Sequence, residues 1–126
     1  MTTILIIDDD EQIRIALSKT LKRAGYETIW ANNGEEGIKL FKEKGPDLII
    51  TDLIMPEKEG IETIVELRRS YPDVKIIAMS GGGKNGPEDY LPMAKRLGAR
   101  ITLKKPFRVN DLLEAVSKIL KSRPVI

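Results

Sequence analysis

The hydrophobic positions of this chain of 126 residues fall into short apolar runs that alternate with longer stretches of helical spacing. A short apolar run bounded by turn residues is typical of a buried strand. Such runs occur at residues 4–7, 47–51 and 74–79. Residues 26–30 alternate well enough to predict a further strand, and residues 100–104 are predicted as the fifth. Because residues 4–7 and 48–50 are apolar throughout, we expect both faces of these strands to be covered.

A stretch with apolar residues at helical spacing follows each predicted strand. The first is expected to end at Gly25, and the second to begin at Asn33, with Glu36 completing a capping box. Asn110 is expected to cap the last helix. Five strands alternating with five helices predict a parallel sheet, covered by helices on both faces and joined by right-handed crossovers.

The composition indicates a single domain, which we expect to span residues 1–122 and to leave a short tail at 123–126. Charged residues make up 32% of the chain, and the net charge of +2 is too small to indicate direct nucleic-acid binding. No apolar run approaches the roughly 18 residues that a membrane helix needs. We also find no signal peptide before the first strand, so the expected location is cytoplasmic.

The absence of two residue types narrows the possible chemistry. The sequence contains no Cys, which excludes disulfides, thiolate metal sites and cysteine nucleophiles. It contains no His, which excludes histidine bases, ligands and phosphoacceptors within this chain. Any chemistry must therefore use carboxylates, hydroxyls, lysines and a hard cation.

Polar groups stand where four of the predicted strands end. Asp8 and Asp9 follow the first strand, and Asp52 follows the third. Ser80 follows the fourth strand, and Lys105 follows the fifth. Because the carboxyl ends of parallel strands meet at one edge of the sheet, these groups are expected to share one pocket.

Three carboxylates in one pocket repel each other. At a separation of about 4 Å and an effective dielectric constant near 20, each like pair costs about 4 kcal/mol. Such a cluster must be protonated, paired with a cation or bound to a metal. A ligand set of oxygen atoms, without His or Cys, favours Mg²⁺.

These features, in this order, resemble the receiver domain of two-component response regulators. The resemblance rests on residues 4–9, Asp52 followed by Met55-Pro56 and Gly60, Ser80, and Lys105-Pro106-Phe107. The resemblance covers nearly the whole chain. It implies that the chain is a stand-alone, single-domain receiver. The family fold that it implies is a flavodoxin-like, doubly wound (βα)5 domain with a five-stranded parallel sheet in the order 2-1-3-4-5.

The resemblance also implies a role for each acid. Asp52 would be the phosphoacceptor, whose carboxylate attacks a phosphoryl group to form an aspartyl-phosphate. Asp9 would ligate Mg²⁺ directly and Asp8 chiefly through water. Asp52 and the backbone carbonyl of Ile54 would complete the ligands from the protein.

Three further residues receive roles from the same resemblance. Lys105 would pair with the Asp52 carboxylate and then with a phosphoryl oxygen, and Ser80 would donate a hydrogen bond to another phosphoryl oxygen. Ser80 and Thr102 occupy the switch positions. Many receivers carry Tyr or Phe where this chain has Thr102.

The implied function is phosphoryl transfer in a two-component phosphorelay. A sensor histidine kinase or a phosphotransfer protein would donate the phosphoryl group in the presence of Mg²⁺, and phosphorylation would switch the binding of an output protein. The chain would catalyse its own phosphorylation and dephosphorylation without being an enzyme of ordinary turnover. No contact with nucleic acid or membrane is implied.

Other interpretations of these residues stay open at the level of sequence. Asp8, Asp9 and Asp10 before a helix suit its N-terminal dipole, whatever else they do. A haloacid-dehalogenase-like phosphatase would use Asp8 as nucleophile and Asp10 as its paired acid, although the chain is short and has no second acid pair downstream. A receiver that has lost phosphorylation and acts only as a binding module is the third possibility. Mapping a trapped acyl phosphate to Asp8 or Asp52 separates the three.

Overall fold

Five parallel strands form one sheet in the computed structural model, which describes residues 2–53, 60–80 and 91–121. The strands are β1 (Thr3–Ile7), β2 (Glu27–Ala31), β3 (Leu48–Asp52), β4 (Ile76–Ser80) and β5 (Ile101–Lys104). The helices are α1 (Glu11–Arg23), α2 (Gly34–Lys44), α3 (Gly60–Ser70), α4 (Leu91–Leu97) and α5 (Val109–Lys121). The strand order is β2-β1-β3-β4-β5, which confirms the expected fold and order.

Helices cover both faces of this sheet and create two hydrophobic cores. Successive side chains of a strand point to opposite faces, so Ile4 and Ile6 enter one core while Leu5 and Ile7 enter the other. The first core is completed by α1 and α5, and the second by α2, α3 and α4. Burying each Ile or Leu side chain contributes roughly 1.5–3 kcal/mol, so the central strands are firmly held and their ends are rigid supports.

Capping residues define where α1 and α2 begin. The Asp10 carboxylate accepts hydrogen bonds from the backbone N–H of Gln12 at 2.9 Å and of Ile13 at 3.4 Å. The Asn33 side chain accepts from the N–H of Glu36 at 2.9 Å, as predicted. Each cap satisfies N–H groups that have no partner inside the helix.

The structure corrects several predicted boundaries. Helix α5 begins at Val109, so Asn110 lies inside the helix and is not its cap. Asp111 instead reaches back and accepts from the N–H of Arg108 at 3.3 Å. Asp52 and Ser80 are the last residues of their strands, where the sequence placed them just beyond.

Some predictions fall outside the described residues. These are the end of the domain at residue 122, the tail at 123–126 and the carbonyl of Ile54. Within the described part of the chain, no helix is both long enough and apolar enough to span a membrane.

Candidate functional site

The polar groups predicted to converge do meet at one edge of the sheet. Asp8 follows β1, Asp52 closes β3, Ser80 closes β4 and Lys105 follows β5. Since all five strands are parallel, these positions lie at the carboxyl ends of the strands. This is the edge at which open α/β sheets bind ligands.

Lys105 joins two of the acids. Its Nζ atom lies 3.3 Å from Oδ2 of Asp8 and 3.6 Å from Oδ1 of Asp52. The Lys105 backbone N–H donates to the carbonyl of Ser80 at 2.8 Å, which fixes the start of the lysine side chain beside β4. Because Asp8 and Asp52 are buried, the shared ammonium offsets part of the cost of removing their charges from water.

Asp8 is the most deeply buried acid of the site, with 0% of its surface exposed. Desolvation by burial raises the pKa of its carboxyl group above the usual range, and the neighbouring Asp9 carboxylate adds to this. The N–H of Asp10, which donates to Oδ1 at 2.9 Å, and the Lys105 ammonium act in the opposite direction. Asp8 therefore gains a proton more readily than an ordinary aspartate.

Asp52 is held by hydrogen bonds and by a close backbone approach. Its Oδ1 accepts from the N–H of Leu53 at 2.9 Å, and its carbonyl accepts from Oγ1 of Thr51 at 2.9 Å. The N–H of Gly60 donates to the Leu53 carbonyl at 3.0 Å. A Cβ atom at Gly60 would meet the Asp52 carbonyl and would lie 2.6 Å from the Cα of Leu53, so only glycine fits here.

The three acids form a cluster that suits a hard cation. One carboxylate oxygen from each of Asp8, Asp9 and Asp52 can be chosen so that all three lie within 4.8 Å of one another. Asp9 is exposed, while Asp8 and Asp52 are buried. Oxygen donors alone, in a chain without Cys or His, match the preference of Mg²⁺.

Ser80 contributes a buried hydroxyl to the same edge. Its Oγ has no hydrogen-bond partner among the described residues, and the residue is 0% exposed. A buried hydroxyl without a partner costs free energy, and such groups are frequent at functional sites. The hydroxyl is therefore suited to donate to an oxygen atom of a ligand at the cluster.

Other predicted residues lie apart from this cluster or have a different task. Thr102 is half-buried in β5, opposite Ala78 of β4. Asp10 uses its carboxylate to cap α1, so it is not paired with Asp8 in the way that the phosphatase interpretation requires. The sequence had allowed both uses of Asp10.

Arg14 also contacts this site, although the sequence analysis did not identify it. It is 7% exposed, and its NH1 group donates to the backbone carbonyl of Asp8 at 2.8 Å. The helical spacing of the sequence contains the pattern that could have identified it. Arg14, Leu17 and Leu21 are the buried residues of α1 and recur at intervals of three and four, so an arginine stands on the face that packs against the sheet.

Comparison with known proteins assigns the family. The model of the response regulator receiver domain matches residues 4–117 of the sequence. The chain belongs to this family. As a receiver domain, it acts as a phosphoacceptor in two-component signalling, and neither the phosphatase interpretation nor that of a binding module without phosphorylation is favoured.

Receivers of similar length occur among its relatives. The receiver is 35% identical to chemotaxis protein CheY of Thermotoga maritima over 119 residues, which cover 94% of this chain and 97% of that protein. It is 32% identical to sporulation initiation phosphotransferase F of Bacillus subtilis, with 93% of this chain and 92% of the relative covered.

A solved structure gives the same picture in three dimensions. Response regulator protein TrrA of Thermotoga maritima, in complex with Mg²⁺ and BeF, superposes on this receiver with a TM-score of 0.83 and 34% identity. The match covers 94% of this chain and 99% of that structure. Receiver domains bind Mg²⁺ at an acidic pocket, and this receiver has an acidic cluster at the carboxyl edge of its sheet.

Proposed function

We propose that Asp52 is the phosphoacceptor of this receiver. The observation that carries the proposal is the difference between the two acids that contact Lys105. Asp8 is completely buried, and its two oxygens accept from the Asp10 N–H and from Lys105. Asp52 is 8% exposed at the end of β3, so its carboxylate is the one of this pair with access to a phosphodonor.

We further propose that Asp8, Asp9, Asp52 and the carbonyl of Ile54 hold Mg²⁺. The support is the acid cluster, whose oxygens lie within 4.8 Å of one another. When bound, Mg²⁺ supplies positive charge that neutralises phosphoryl oxygens and aligns them for transfer. In this proposal the exposed Asp9 would ligate the ion directly, and the buried Asp8 would act chiefly through water.

The chain's own groups then carry the transfer. An Asp52 carboxylate oxygen attacks phosphorus, a new O–P bond forms, and the bond from phosphorus to the donor breaks with its electron pair leaving on the donor. The Lys105 ammonium, 3.6 Å from Asp52, stabilises charge on the phosphoryl group. The Ser80 hydroxyl donates to a second phosphoryl oxygen. Attack by water later releases phosphate and restores the carboxylate.

The signalling context is proposed from family membership. A sensor histidine kinase or a phosphotransfer protein donates the phosphoryl group, and an output protein binds according to the phosphorylation state. Ser80 and Thr102 are the switch positions, with Thr102 in place of an aromatic side chain. The receiver domain spans residues 1–122, residues 123–126 form its tail, and the location is cytoplasmic.

Beryllofluoride provides a direct test, because it mimics a phosphoryl group on a carboxylate. We expect beryllofluoride with Mg²⁺ to raise the midpoint of thermal unfolding of the wild type, and to have no effect on Asp52→Asn. Asp47→Asn is the matched control, since Asp47 is an exposed acid just before the other end of β3. A full response in Asp52→Asn, together with its loss in Asp8→Asn, would assign the nucleophile to Asp8.

A further inference from the structure

A buried arginine connects the acidic cluster with an exposed tryptophan. Arg14 lies on α1 and is 7% exposed, and its NH1 donates to the Asp8 carbonyl at 2.8 Å. Its guanidinium carbon lies 4.3 Å from the centre of the Trp30 ring. Trp30 stands on β2, the strand next to β1, and is 53% exposed. Arg14 therefore bridges α1, the end of β1 and β2.

The burial of Arg14 calls for an explanation beyond packing. It shares the inward face of α1 with Leu17 and Leu21, where an apolar side chain would pack without the cost of removing a charge from water. Among the residues that the structure describes, its guanidinium donates to a backbone carbonyl and lies over a ring face. The Lys105 ammonium contacts the carboxylate of Asp8, whereas the guanidinium of Arg14 donates to its backbone carbonyl, so Arg14 acts on the backbone of Asp8.

We propose that Arg14 is a positioning residue for the magnesium ligands, and that Trp30 holds its guanidinium in place. The proposal rests on the assignment of Asp8 and Asp9 as ligands of Mg²⁺. Arg14 acts on the peptide that joins these two residues, because the carbonyl it binds belongs to that peptide. The orientation of this peptide sets the direction in which the exposed Asp9 leaves the backbone.

Repulsion within the cluster explains why such a restraint is needed. Asp8, Asp9 and Asp52 carry like charges within 4.8 Å, and the exposed Asp9 is the acid that can most easily turn away into solvent. Asp8 is already fixed by its N–H, which donates to the Ala31 carbonyl at 3.2 Å, and by the Asp10 N–H on its side chain. The bond from Arg14 adds a restraint on the carbonyl side, where Asp9 begins.

Substitution of Arg14 by Lys separates geometry from charge. Lysine keeps the positive charge, but it lacks the planar group that can donate to a carbonyl while lying over a ring. We expect Arg14→Lys to weaken Mg²⁺ binding in calorimetric titration by about tenfold, as loss of a partner behind a metal ligand typically does. Arg23→Lys is the matched control, because Arg23 is exposed in the last turn of the same helix, and it should bind Mg²⁺ like the wild type.

Trp30 provides a second test that does not depend on a buried substitution. Because Trp30 is mostly exposed, both of its variants should fold. We expect Trp30→Ala to weaken Mg²⁺ binding about threefold, and Trp30→Phe, which keeps a ring face for the guanidinium, to restore it. If Trp30 only supported the fold, Trp30→Ala would lower the free energy of unfolding measured without Mg²⁺, and the dissociation constant for Mg²⁺ would stay unchanged.

The outcomes distinguish the two proposals. If the wild type binds Mg²⁺ and Arg14→Lys binds it with the same affinity, the positioning role of Arg14 is overturned and the proposed metal site is not. If Arg14→Lys does not fold, equal affinities of wild type and Trp30→Ala would overturn it instead. Failure of the wild type to bind Mg²⁺ would overturn the proposed metal site and this inference with it.

Discussion

Replacing Asp9 with Asn should change the stability of this receiver in opposite directions with and without Mg²⁺. Asp9 is the exposed member of a cluster in which one oxygen from each of Asp8, Asp9 and Asp52 lies within 4.8 Å of the others. Lys105 is the cation that contacts two of these acids. Removing the charge of Asp9 relieves its repulsion with both buried acids, but it also removes a ligand of the metal.

The magnitude follows from the distances. At 4.8 Å and an effective dielectric constant near 20, a pair of like charges costs about 3.5 kcal/mol. Solvent screens the exposed Asp9 strongly, so a total gain of about 1 kcal/mol is expected in the absence of metal. With Mg²⁺ at 100 times its dissociation constant, the wild type gains about 2.7 kcal/mol, whereas a variant that binds about 100 times more weakly gains about 0.4 kcal/mol.

Urea unfolding in EDTA measures the relief of charge repulsion, and urea unfolding in excess Mg²⁺ measures the stabilisation that bound metal adds. The Asp9→Asn variant should unfold at a higher urea concentration than the wild type in EDTA, and at a lower one in Mg²⁺, with unchanged slopes. Glu43→Gln, which neutralises an exposed acid on α2, is the control and should behave as wild type in both buffers. Lower stability of Asp9→Asn in EDTA, or an undiminished response to Mg²⁺, would refute the reasoning.

Three further predictions concern single residues of the site. Gly60→Ala should lower the free energy of unfolding by about 1–3 kcal/mol in urea titration, because its Cβ would lie 2.6 Å from the Cα of Leu53; a wild-type midpoint would contradict the close approach. Ser80→Ala should change stability by less than about 1 kcal/mol while slowing phosphorylation by a small-molecule phosphodonor, since the hydroxyl is buried with no partner among the described residues. An unchanged rate would remove Ser80 from the mechanism. Burial raises the pKa of Asp8 above its ordinary value of 3.8. At a pH between the ordinary and the raised pKa, the folded protein therefore keeps a proton on Asp8 that the unfolded chain has already lost. In EDTA, stability should therefore fall as pH rises from about 4 through the raised pKa, and Asp8→Asn should lack this component of the slope.

The strands and the convergence of the site could be predicted because both follow from local patterns. Apolar runs locate β1 and β3, and parallel strands must bring their carboxyl ends to one edge. The order of the strands could not be obtained in this way, because it depends on which face of the sheet each crossover helix covers. It was taken from the family resemblance, and the structure confirms it.

The different environments of the three neighbouring acids also could not be predicted from the sequence. Asp8, Asp9 and Asp10 are consecutive and chemically identical, yet Asp8 is buried, Asp9 is exposed and Asp10 caps α1. The path of the backbone between β1 and α1 makes this distinction. Arg14 was overlooked for a different reason, since the helical pattern was followed through apolar residues alone, and a buried charged residue does not add to that pattern.

The central claim is that Asp52 receives the phosphoryl group, and the position of the modified residue tests it most directly. Wild-type protein is treated with acetyl phosphate and Mg²⁺, the acyl phosphate is reduced with borohydride, and the modified residue is located by mass spectrometry. The account predicts modification at Asp52, none in Asp52→Asn and a wild-type level in Asp47→Asn. Modification at Asp8, or undiminished modification of Asp52→Asn at any other residue, would contradict it.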